Sequence, residues 1–108
     1  GASGAEGIQR VTVRLADPAD ESEAIYSVRL VFSEPEDVGE GARVFDVALQ
    51  GNTVLTGFDI RAVAGGVRTT VTRTFAGVKA GVELRVDLTS SAGSKRGPIL
   101  CGLECVAE

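Results

Sequence analysis

RVFDVALQGNTVLTGFDI (residues 43–60) decides the fold. Phe45, Val47 and Leu49 alternate with Asp46, Ala48 and Gln50, the period-two pattern of a strand with one buried face. Gly51-Asn52 follows, a pair that tolerates positive φ and permits a tight reversal. Residues 53–60 then run extended again, with Val54, Leu55, Phe58 and Ile60 as their apolar content and Gly57 at a bulge position. The stretch predicts a β-hairpin.

The same alternation recurs on both sides of it. Residues 8–15 set Val11, Val13 and Leu15 against Thr12 and Arg14, and residues 24–33 place Tyr26, Val28, Leu30 and Phe32 on one face. Downstream, residues 67–75 are β-prone through their valines and threonines. Residues 82–89 alternate most cleanly, with Val82, Leu84, Val86 and Leu88 inward and Glu83, Arg85 and Asp87 outward. Residues 98–106 supply a last strand. Between the strands lie an acidic solvated loop (16–23), a turn-rich acidic connection (34–42), reversals at 64–66 and 77–81, and a flexible loop at 90–97. Seven short strands with turn signals every 8 to 12 residues, and no predicted helix, imply an all-β antiparallel sandwich or barrel. Phe45, Val47, Leu49, Leu84, Val86 and Leu88 are the expected core. Residues 1–7 read as a flexible segment and 8–108 as one domain.

Composition narrows the chemistry. The chain has 108 residues, a net charge of −4 and 11 basic side chains, scattered singly apart from Lys95-Arg96. That balance argues against nucleic acid, which requires a clustered basic face, and against an anionic membrane surface. No apolar run approaches the roughly 18 residues of a membrane-spanning helix, and the first residues do not form a signal peptide. There is no histidine, so Ser-His-Asp and Cys-His catalytic arrangements cannot be built. Cys101 and Cys105 alone cannot make a structural zinc site. In one strand they would stand ~13 Å apart at ~3.3 Å per residue, too far for a disulfide. They read as buried, hydrophobe-like thiols.

Other motifs fall short. Gly39-Glu40-Gly41 lacks the third glycine and the following helix of a phosphate-binding loop. The acidic groups Glu34, Glu36, Asp37, Glu40 and Asp17, Asp20, Glu21, Glu23 lack the spacing of a calcium loop, and acids in such loops are ordinarily wet surface. Neither a metal, a cofactor nor an enzymatic activity is expected. The one tyrosine and four phenylalanines all fall in predicted strands, so core packing accounts for them better than a ligand platform does.

YSVRLVFSEP (26–35), RVFDVALQGNTVL (43–55), GFDI (57–60), AGG (64–66), the strand ending in Phe75, VELRVDL (82–88) and PILCGLECV (98–106) occur in an order that resembles the malectin and malectin-like family of carbohydrate-binding domains. The resemblance covers about three-quarters of the chain. It extends to malectin-like tail domains at the C-terminal end of large bacterial proteins. It implies an antiparallel β-sandwich of jelly-roll, galactose-binding-like type with about seven to eight strands, in an extracytoplasmic (periplasmic or secreted) setting. Where the family places sugar-contacting aromatics, this chain has Glu36 and Asp37. Where an acidic sugar contact is expected before the last strand, it has Arg96 or Gly97. Two functions are therefore open. One is a non-catalytic accessory domain that binds carbohydrate, with Glu36, Asp37, Lys95 and Arg96 as its polar contacts. The other is an assembly domain that packs against other domains of a parent protein or forms a homo-oligomer.

Overall fold

The computed structural model describes residues 8–15 and 23–108. The expected flexible segment 1–7 and nearly all of the acidic loop 16–23 lie outside the described residues. Seven strands occur among the described residues: β1 (Ile8–Arg14), β2 (Ala24–Phe32), β3 (Phe45–Leu49), β4 (Asn52–Phe58), β5 (Val71–Ala80), β6 (Glu83–Ser90) and β7 (Gly102–Ala107). A short helix, α1 (Ile60–Ala64), stands between β4 and β5. One sheet has the order β1-β6-β3-β4 and the other β5-β2-β7, with antiparallel pairing throughout. The fold is the all-β sandwich that the strand periodicity predicts.

Alternation decides which atoms meet between the sheets. Phe45, Val47 and Leu49 point inward from β3, and Leu84, Val86 and Leu88 do so from β6. Their register matches, with Val47 opposite Leu88 and Leu49 opposite Val86. From the second sheet, Val28, Leu30 and Phe32 of β2 close the core. Phe32, Phe45 and Phe58 form a triangle with ring centroids 4.8–5.9 Å apart, inside the range in which tilted rings attract beyond simple burial. Tyr26 and Phe75 pack against this core but remain partly exposed at its margin.

Five local expectations are corrected. The reversal between β3 and β4 lies one residue earlier than Gly51-Asn52: Gln50 and Gly51 take positive φ (53° and 82°), and Asn52 already begins β4. Gln50 is held there by its own side chain. Its amide nitrogen donates to the carbonyls of Lys79 and Glu83 at 3.3 Å each, and its amide oxygen accepts from the Arg85 N–H at 2.6 Å. Secondly, Ile60 begins α1 rather than ending a strand. Asp59 caps the helix by accepting from the Ala62 N–H, and Gly65 closes it at φ 78°, the usual pairing of an N-terminal acid with a left-handed glycine.

The fifth strand also starts later than residue 67, because Arg68 sits at φ 53° and donates its N–H to the Glu34 carbonyl. It runs through Gly77, expected to begin a turn, which is instead a bulge at φ 71°. Finally, Cys101 precedes β7 and is exposed, while Cys105 lies in the strand opposite Val28 and is half-buried. Both are free thiols. Burial raises the Cys105 thiol above its ordinary value.

Candidate functional site

The end of the sandwich where β2 runs out and β3 begins gathers three segments: 34–42, α1 with the turn after it, and 91–97. Their arrangement starts from Glu34 and Arg43. Continuing the alternation of β2, Glu34 keeps the inward parity of Leu30 and Phe32; reading back from β3, Arg43 keeps that of Phe45. Both side chains are accordingly buried, at 0% and 6% exposure. Glu34 is therefore not the wet surface residue that an acidic loop suggests. The guanidinium binds the carboxylate in a fork, Nε to Oε1 at 2.9 Å and Nη2 to Oε2 at 3.1 Å. Such bidentate geometry is what makes a buried ion pair tolerable.

From this pair the charges alternate outward to solvent. Arg43 Nη2 also donates to Glu36 Oε2 at 3.4 Å, and Arg96 Nε donates to Glu36 Oε1 at 2.8 Å. Arg43 Nη1 donates to the Gly97 carbonyl, which ties 91–97 directly to the buried pair. Backbone bonds reinforce the link: the N–H groups of Lys95 and Arg96 both donate to the Ala42 carbonyl, at 2.9 and 3.0 Å. Ser94 Oγ accepts from the Val44 N–H at 3.0 Å. On the other flank, Asp59 accepts from the Gly41 N–H at 2.6 Å while capping α1, and the Arg68 N–H reaches the Glu34 carbonyl at 2.8 Å. Three chain segments are thus fixed around one buried guanidinium.

Of the four residues singled out in the sequence, Glu36 and Arg96 are brought into direct contact, each about half exposed. Asp37 and Lys95 are exposed on the same two segments, with no ion pair to either among the described residues. Sequence reasoning missed Glu34 and Arg43 as the residues that position the others. The signal was available in their strand parity. Among the described residues no group of three or more potential metal-ligating side chains comes together, and no helix is long and apolar enough to cross a membrane.

The hydrogen bond from Arg96, with Arg43 behind it, holds the Glu36 carboxyl below its ordinary value of 4.5, against an opposing desolvation effect. A lowered folded-state pKa means the unfolded chain binds the proton first. The contribution of Glu36 is therefore complete above 4.5 and is lost as pH falls through its lower folded value. Carboxyl NMR titration is expected to place the Glu36 midpoint below that of free glutamate, and Arg96→Gln to raise it. An unchanged midpoint in Arg96→Gln would mean that the contact is not formed in solution.

The malectin domain family model matches residues 19–93. No curated protein matches the chain. Among solved structures, the ANXUR2 extracellular domain from Arabidopsis thaliana superposes with a TM-score of 0.80 at 19% identity, over 99% of this chain and 30% of that one. The ANX2 ectodomain from the same plant gives 0.77 at 19% identity, over 99% and 31%. The plant receptor-like kinase FER gives 0.67 at 16% identity, over 93% and 27%. At these identities the likeness is one of fold. The chain spans about a third of the length of the structures it matches.

Proposed function

The chain belongs to the malectin domain family, and on that premise we propose that it is a non-catalytic carbohydrate-binding accessory domain of a larger extracytoplasmic bacterial protein. The family match over residues 19–93 carries this reading. The extracellular placement of the structural neighbours is consistent with it. Glu36, Asp37, Lys95 and Arg96 form the proposed polar contact surface. Carboxylates accept hydrogen bonds from sugar hydroxyls, and guanidinium and ammonium groups donate them. No aromatic side chain stands on segments 34–42 or 91–97, so little apolar contact offsets the ordering cost of binding. The expected affinity there is on the order of millimolar.

A glycan-array screen of the domain, followed by titration of the best ligand, tests this. Charge reversal at Glu36 and Asp37 is expected to lower glycan binding at least several-fold and to leave the oligomeric state unchanged. The second reading, an assembly domain, has a separate support. Ile25 and Val106 are exposed on neighbouring strands of the β5-β2-β7 sheet, at 43% and 57%, and β7 is an open edge. Open edges of this kind invite partners. An array without binding, together with dimers in light scattering, would replace the first reading with the second.

A further inference from the structure

On the flank between β4 and β5, away from the charged end, the two sheets do not close over one another. β4 is the edge of one sheet and β5 the edge of the other. Toward Phe58 the gap is covered by Arg73, whose guanidinium lies 5.7 Å from the ring centroid. Toward the β3–β4 turn it opens into a cavity of about 570 Å³, within the usual range for a small-molecule site. A bulge on each of the two edge strands lines the opening. On β4, Val54 is the extra residue between the Val47–Leu55 and Ala48–Thr53 pairs. On β5, Ala76 and Gly77 together oppose Ser27, between the Val28–Phe75 and Tyr26–Val78 pairs. Bulges re-aim side chains and end regular pairing. Here they leave Phe75 partly exposed in the cavity lining beside Val54, with Asn52 and Lys79 exposed at its rim.

We propose that this inter-sheet cleft is a second ligand site, which takes a polyhydroxylated ring of one or two pyranose units against Phe75. The inference rests on the carbohydrate-binding reading and places a site where that reading does not. Three observations carry it. The lining combines an aromatic ring and aliphatic side chains with an amide and an ammonium. That mixture matches a sugar ring, which has an apolar C–H face and a rim of hydroxyls. The end wall is already fixed, since the Gln50 amide is bound on both of its polar atoms to Lys79, Glu83 and Arg85, so little ordering is left for the ligand to impose. The bulges also disfavour the rival occupant, an extended peptide, because a bulged edge is a poor template for adding a strand.

The test is a ¹⁵N-HSQC titration of the whole chain with maltose, cellobiose and lactose, on the wild type and on Asn52→Ala, Phe75→Leu and Arg96→Gln. Phe75→Leu keeps an apolar filler, and its melting curve checks the fold. The expected result is that at least one disaccharide shifts amides of residues 52–54 and 74–79. Asn52→Ala and Phe75→Leu should weaken that response at least five-fold, and Arg96→Gln should leave it intact. Shifts confined to 34–42 and 91–97, abolished by Arg96→Gln, would overturn the cleft site and keep the carbohydrate-binding reading. No shift with any of the three sugars, while the glycan array is positive, would likewise overturn the cleft. A negative array as well would remove both.

Discussion

Arg43→Ala is expected to destabilise the domain by about 3–5 kcal/mol, because it leaves the Glu34 carboxylate buried with its main partner gone. Glu34 is fully buried and Arg43 nearly so, so water cannot take over the lost hydrogen bonds without opening the end of the sandwich. Glu36→Ala provides the control. It removes an exposed, roughly half-solvated partner of the same guanidinium, and is expected to cost far less than Arg43→Ala, because water replaces an exposed ion pair at little loss. The double change Glu34→Leu with Arg43→Met is expected to recover much of the loss, since a packed apolar pair avoids desolvating two charges. Urea unfolding of the four proteins measures all of this. A cost below about 1 kcal/mol for Arg43→Ala would mean that the pair is solvated and that segments 34–42 and 91–97 are held by backbone bonds alone.

The second large effect is Leu84→Ala. Leu84 has no solvent exposure, pairs with Val13 of β1 and belongs to the central cluster. Removing its isobutyl group is expected to cost about 2–5 kcal/mol, the spread reflecting how far the neighbours relax into the void. The matched change Arg85→Ala, on the solvent face of the same strand, is expected to cost much less, because that side chain is about half exposed. Equal costs at the two positions would place β6 out of register by one residue.

The fold was readable because alternation is a direct record of burial in a two-layer sheet. All six residues named as core, Phe45, Val47, Leu49, Leu84, Val86 and Leu88, are buried. What was misread follows from two habits of sequence reading. Valine and threonine content drew β5 back to residue 67, although backbone bonding to Glu34 turns the chain there. Glycine was taken as a terminator at Gly77, where it instead permits a bulge within the strand. The helix was signalled by Asp59 and Gly65, but five residues between them are too few for a periodic pattern to register. For the candidate site, Glu36 and Arg96, two of the four candidate contacts named in the sequence, are in direct contact. What brings them together was missed, because charge was allowed to outweigh parity at Glu34 and the parity of Arg43 was not read back from Phe45.

The order of the strands within the sheets bears on the time the chain needs to fold. β2, the middle strand of its sheet, has β7 as one neighbour, so Val28 waits for Cys105 and Leu30 for Leu103. Among the described residues β1 pairs with β6 alone, setting Val11 beside Val86. Apart from the β3–β4 hairpin, the pairings that complete each sheet join distant parts of the chain. Their loop-closure entropy must be met before burial returns anything, which places such folds among the slower small domains. As the chain emerges during synthesis, β1 and β2 come before the strands they pair with, β6, β5 and β7. Their protection arrives only with the later strands, so early exposure of those two segments is built into the connectivity.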